Sequence, residues 1–439
     1  MGDLMDWSQE YKQKLRKPKE AMEEQISSGD SIYAGGATVA KTTLEALFQI
    51  IDEGKVKGII LNAHSPVNGL DLSKYSFTRE QLTMDTFFMN PPDRAMVQAG
   101  KAFYMPLQYG MYKRYIDHVK PNVSIILMSP PDENGYMNIG PFGFHPAALA
   151  SSKKIIAQVS KYVPRVNGTA HRYHVSEVAA IVEADDPMGI VNNPEATEIE
   201  KKISEHILEY IPDGACIQLG IGGIANAVGF GLKDKKHLGI HSEVLTESIV
   251  DLMEAGVVDN SCKAFKPGQT TLGFVLGTER QYQFIDQNKD LLFCGFEDIV
   301  NIKNIASNKN MISINAAISV DLTGQVCAES IGHREYSGTG GQLDFVRGAS
   351  LSEGGCSFIA MPSTSETKNG RVSRIVLELL PGSIVTTPRT DVQYIVTEYG
   401  CVNLMFSNVA DRVKKLISIA HPDFRKELTF GAKQAGLII

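Results

Sequence analysis

Nothing in this chain is built for nucleic acid, a bilayer or a metal, and each shortage narrows its function. Positive charge is not in excess: 43 Lys and Arg face 50 Asp and Glu, a formal charge of −7, whereas a nucleic-acid binder carries a basic face. No apolar run approaches the roughly 18–20 residues that span a bilayer. The opening stretch, MGDLMDWSQEYKQKLRK, reads as a charged amphipathic helix without the apolar centre of a secretory signal. Met1-Gly2 begins like a myristoylation motif, but Asp6 stands where that motif takes Ser or Thr. A cytoplasmic location is therefore expected. Cys216, Cys262, Cys294, Cys327, Cys356 and Cys401 stand singly, with no C-x-x-C. That pattern argues for buried thiols in a reducing compartment, not for disulfides or zinc. His171 and His174 in HRYH lack an acidic or Cys partner nearby, so packing or hydrogen bonding is expected of them and no metal.

What is present is strand after strand of buried character. SIYAG (31–35), GIILNAH (58–64), SIILMS (124–129), KIIAQVS (154–160) and AAIVEAD (179–185) are continuous apolar runs alternating with helical patterns. The habit returns in CIQLG (216–220), HLGIHS (237–242), TLGFVLG (271–277), MISINAAI (311–318), SFIAMPS (357–363), SIVTT (383–387) and YIVTEYG (394–400). Such strands are covered on both faces, as in parallel sheets flanked by helices, so the fold class is α/β. At 439 residues the chain outgrows one core. The turn-rich stretch 184–196 divides it into domains 1–190 and 191–439. Past the boundary, Asn193 suits an N-cap and Pro194 the first helical position, and Ile199, Ile203, Ile207 and Ile211 form one buried stripe. A weak echo links SSGDSIYAGGATVAKTTLEAL to IPDGACIQLGIGGIANAVGFGL, which predicts two domains of related build.

Two glycine loops carry the chemical signal. Gly220-Ile221-Gly222-Gly223-Ile224-Ala225 follows a strand, opens a helix and satisfies G-x-G-x-x-A, with Glu243 lying 21 residues past Gly222. Taken alone this fits a dinucleotide site whose acid holds the ribose. It lies mid-chain, however, after a complete α/β domain. A second loop, Ser337-Gly338-Thr339-Gly340-Gly341-Gln342-Leu343-Asp344-Phe345, is one a plain dinucleotide domain does not need. Two such loops in one half fit backbone N–H groups converging on an oxyanion or phosphate; the plain alternative for each is a tight strand-to-helix turn.

At GIHSE (239–243) with SGTGGQLDFVRGA (337–349), the chain resembles the acetyl-CoA hydrolase/transferase family, class I CoA-transferases that use a glutamate nucleophile. The likeness continues through SPPDENGYMNIG (129–140), INAAISVDLTGQV (314–326), AMPS (360–363), VTEYG (396–400) and AHPDF (420–424). It implies two open α/β domains with the active site at their interface and Glu243 as nucleophile. Asn301 matches an asparagine near the thioester carbonyl, although Ile302-Lys303 follows where the family has His-Pro. Gly341, with Gly340, falls on the oxyanion glycine. Gly220, Ile221, Gly222, Gly223 and Ile224 match a CoA-binding stretch, and Ile318 and Ser363 are further candidates for CoA contact. Arg347, Arg374 and Arg389 are the candidates for CoA phosphates.

The resemblance implies transfer of CoA from a short-chain acyl-CoA, such as butyryl-CoA or 4-hydroxybutyryl-CoA, to a carboxylate such as acetate. The route is ping-pong through a glutamyl-CoA thioester. Coenzyme A is then substrate and no cofactor or metal is expected; a homodimer is. The alternatives are an acyl-CoA hydrolase on the same scaffold and, from the glycine loop, an NAD-dependent oxidoreductase.

Overall fold

The computed structural model describes residues 6–63, 69–71, 74–192 and 195–439. They fall into two compact units. One comprises residues up to 107, 111–192 and 273–297; the other comprises 108–110, 193–272 and 298–439. Both are α/β.

In the first unit, β1 (Ser31–Tyr33), β2 (Ile59–Asn62), β3 (Leu82–Thr86), β4 (Phe103–Tyr104), β5 (Val123–Met128), β6 (Lys154–Val159) and β7 (Ala180–Glu183) form one sheet. Its order is β4-β3-β2-β1-β5-β6-β7, and every pairing is parallel. All six residues of β5 are buried, as a strand covered on both faces requires. Residues 273–297 are fixed to this unit by the Tyr282 hydroxyl donating to the Gly189 carbonyl at 2.8 Å and the Asn167 amide to the Leu291 carbonyl at 2.9 Å.

The second unit repeats the design with β8 (Cys216–Leu219), β9 (Gly239–Val244), β10 (Thr270–Phe274, of which 270–272 fall in this unit), β11 (Met311–Ala316), β12 (Cys356–Ala360), β13 (Tyr394–Thr397) and β14 (Gly400–Asn403). They follow the order β10-β9-β8-β11-β12-β13-β14. Strand β8 pairs in parallel with β9 and β11, β11 with β12 and β12 with β13, while β14 turns back antiparallel. In both sheets the first strand is central and the winding reverses beside it. That reversal is where open α/β sheets bind ligands.

The structure corrects the sequence reading in several places. SIVTT is no strand: Ile384 and Val385 are exposed, and Thr387 alone of the five makes an isolated bridge, to Val326. YIVTEYG is a hairpin, turning at Glu398-Tyr399 between β13 and β14. Asn193 and Pro194 lie outside the described residues. The helix beyond them is Glu198–Leu208, capped by Thr197 in a capping box with Glu200. Ile203, Ile207 and Ile211 are buried, but Ile199 is 43% exposed, because the stripe begins one turn past the cap.

Asp6 caps the first helix, Trp7–Lys14; Met1 and Gly2 lie outside the described residues. All six cysteines are free, three of them buried. His171 is buried with Nδ1 2.6 Å from the Thr169 carbonyl, and His174 accepts from the Ser176 N–H. No helix among the described residues is long and apolar enough to cross a membrane.

Candidate active site

Parallel pairing sets Cys216 opposite Gly239 and Ile217 opposite Ile240. The same register, continued, brings Gly220 level with Glu243 at the carboxyl ends of β8 and β9. Ser242 Oγ donates to the Leu219 carbonyl at 3.0 Å and ties those ends together. Gly222 then takes φ +119°, open to glycine and strained for other residues, and helix Gly223–Gly231 starts. The loop Gly220–Ala225, the stretch Ile314–Ala317 and the stretch Ala360–Pro362 enclose a cavity of about 220 Å³, with Glu200 and Arg374 in its wall. It lies where the sheet order reverses between β8 and β11.

Glu243 is half-buried as a residue, yet its Oε1 is enclosed and has no hydrogen-bond partner. Gly341 faces it so closely that a Cβ there would lie 2.5 Å from Oε1 and 2.9 Å from Oε2. Burial pushes the Glu243 carboxyl up to about 8, the negative charge of Asp344 adds to the rise, and the Gly341 N–H opposes it. Near neutral pH the resting group is therefore mostly the neutral acid. Asp344 stands in the first turn of helix Gln342–Leu351 and is itself buried. Burial pushes it up to about 6, against the pull of Gln108, the Gly110 N–H and Arg347.

The second glycine loop is held from three sides. Gln108 Nε2 donates to Asp344 Oδ1 at 2.5 Å and the Gly110 N–H to Oδ2 at 3.1 Å. The Tyr109 N–H donates to the Gly340 carbonyl at 3.0 Å. Gln342 Nε2 donates to the carbonyl of Ala316, a cavity residue, at 2.8 Å, and Gln342 Oε1 accepts from Thr387. His241 is no base: burial pushes it down to about 3, and its Nε2 lies 2.7 Å from the Ile299 carbonyl.

The structure thus brings together Glu243, Gly340 and Gly341, and builds the cavity from Gly220, Ile221, Gly222, Gly223 and Ile224. Asn301 is different. Its side chain is exposed, caps helix Ile302–Ser307 by accepting the Lys303 N–H, and makes no hydrogen bond to Glu243 or Gly341. Ile318 and Ser363 each lie one residue beyond the lining stretches. Ser363 is buried and donates to the Glu398 carboxylate through Oγ and N–H. Of the three arginines, Arg374 lines the cavity, while Arg347 is paired with Asp391 at 3.1 Å and Arg389 is exposed.

Sequence reasoning named Asp344 within the second glycine loop but gave it no role, and missed Gln108, for which no local motif exists. It also missed Glu200. That carboxylate lies against Gly223, so close that a Cβ on the glycine would collide with it. An acid at this helix start disfavours the pyrophosphate of a dinucleotide.

Comparison with known proteins matches both halves of the chain. The acetyl-CoA hydrolase/transferase N-terminal domain covers residues 1–192 and the C-terminal domain residues 277–432. The succinyl-CoA:cyclohexane-1-carboxylate CoA transferase of Geobacter metallireducens is 39% identical over 98% of both chains. The butyryl-CoA:acetate CoA-transferase of Anaerostipes caccae is 36% identical, also over 98% of both. Among solved structures, RipA from Yersinia pestis superposes with a TM-score of 0.92 at 34% identity, covering 99% of this chain and 100% of its own. The chain belongs to the acetyl-CoA hydrolase/transferase family.

Proposed function

We propose that Glu243 carries CoA as a covalent glutamyl thioester, in an enzyme that transfers CoA between an acyl-CoA and a carboxylate. One observation carries the assignment: a carboxyl group whose Oε1 is enclosed without a hydrogen-bond partner, set against the backbone of Gly341 at the end of a central strand.

Ionised Glu243 attacks the thioester carbonyl carbon. The C–S bond breaks, giving an acyl-glutamyl anhydride and CoA thiolate. The thiolate attacks the glutamyl carbonyl, the anhydride C–O bond breaks, and the acyl group leaves as a free carboxylate. An incoming carboxylate runs both steps backward and departs as the new acyl-CoA. Each addition builds negative charge on a carbonyl oxygen, and the Gly341 N–H is the donor we assign to it. The part of the cavity at Glu200, against Gly223, takes the neutral pantetheine arm, since that carboxylate repels phosphate, and Arg374 elsewhere in the wall meets a phosphate of CoA. Butyryl-CoA with acetate is the first donor and acceptor pair to try.

The test is trapping. Preincubation with acyl-CoA and no acceptor, followed by borohydride, should inactivate the enzyme and leave a reduced side chain at Glu243 in the peptide mass spectrum. Glu243→Ala should lose both turnover and trapping. Intact transferase activity without trapping would overturn the covalent route, and CoA release that needs no acceptor acid would make the protein a hydrolase.

A further inference from the structure

We propose that Asp344 is a positioning residue for the nucleophile, acting on Glu243 through its charge and through the Gly340–Gly341 loop, with Gln108 and Gly110 as its clamp. The proposal rests on the reading of Glu243 above. Asp344 is 2% exposed, and a carboxylate so enclosed is tolerated only when its oxygens are satisfied. Gln108 occupies one and the Gly110 N–H the other, at 2.5 and 3.1 Å. The fit at Gly110 excludes a side chain, since a Cβ there would stand 2.5 Å from Asp344 Oδ1. Between those two donors, Tyr109 bonds the carbonyl of Gly340. One tripeptide therefore fixes both the acid and the loop whose N–H faces the nucleophile.

Among the described residues, few charges act on this pair. Arg347, one turn along the helix from Asp344, favours its ionised form but is shared with Asp391. On Glu243 the acting groups are Asp344 and the Gly341 N–H. His241, on the same strand, is held neutral by burial, with Lys263 nearby adding to the effect. A carboxyl group near another negative charge is harder to ionise and, once ionised, more basic. Asp344 thereby makes the attacking oxygen scarcer at neutral pH and stronger when present.

The experiment is single-turnover formation of the Glu243–CoA adduct from butyryl-CoA without acceptor, read by peptide mass across the neutral-to-alkaline range. In the wild type the rate should rise with pH as Glu243 ionises. Asp344→Asn removes the like charge, so the acid limb should move down by about one pH unit and the alkaline plateau should fall a few-fold. Gln108→Leu keeps the acid but removes a donor that favours its ionised form, so the limb should move the same way by less. A limb unmoved in Asp344→Asn overturns the proposal. Should that variant fail to fold, Gln108→Leu decides: slower formation at every pH with an unmoved limb reduces Asp344 to a structural part. Absence of any Glu243 adduct in the wild type is a separate result, and it removes the nucleophile reading itself.

Discussion

A methyl group is the smallest addition that Gly341 can receive, and Glu243 already occupies its place. The clash would be with the carboxylate, at 2.5 Å from Oε1, so the side chain or the loop must shift. Gly341→Ala should fold and still bind acyl-CoA. Steady-state kinetics should show kcat lowered by roughly 10²–10³, the usual cost of one lost oxyanion donor, with KM little changed. A rise in KM alone would make the loop a CoA holder. Glu243 was legible in the sequence because a motif, a strand end and a glycine loop coincide on it. Gln108 was not, for its partner Asp344 stands 236 positions away and a pairing of that range leaves no local pattern. Asn301 is a motif match whose side chain caps a helix.

At the scale of elements, continuous apolar runs found the central parallel strands because burial on both faces leaves no polar position to break them. The same rule overlooked Leu82–Thr86, where buried and half-buried residues alternate. It overcounted SIVTT, whose apolar side chains face outward. The hairpin Thr364–Thr367 and Gly370–Ser373 was not read either, yet it delivers Arg374 to the cavity wall. Charge-assisted hydrogen bonds contribute about 1.5–3 kcal/mol each. Arg374→Gln should therefore raise KM for acyl-CoA by roughly ten- to a hundredfold and leave kcat nearly unchanged. An acyl-pantetheine thioester, which lacks the phosphates, is the control. If its KM rises equally, Arg374 shapes the cavity and does not meet an anion.

For the whole molecule, the buried acid at Glu243 makes stability depend on pH with a definite sign. Folding raises this carboxyl from the ordinary glutamate value of 4.5 to about 8, so the folded chain keeps a proton that the unfolded chain releases. Stability from this group is full below the unfolded value and is lost as pH climbs through the interval to about 8. Glu243→Gln has no such proton to lose. Its melting temperature should pull ahead of wild type between mildly acid and mildly alkaline buffer, by about 2–4 °C, and hold that lead beyond. A lead that does not grow with pH would mean the carboxyl is already ionised in the fold.

That retained proton also sets the stoichiometry of the proposed cycle. When an enzyme resting as a neutral acid becomes a glutamyl-CoA thioester, it releases a carboxylate and a hydrogen ion together. Discharge to the acceptor takes up one carboxylate and one hydrogen ion. The full turnover is proton-neutral, but its two halves are not. Alkaline conditions favour loading of the enzyme with CoA, acidic conditions favour unloading, and the fraction of protein waiting in the loaded form follows the pH around it.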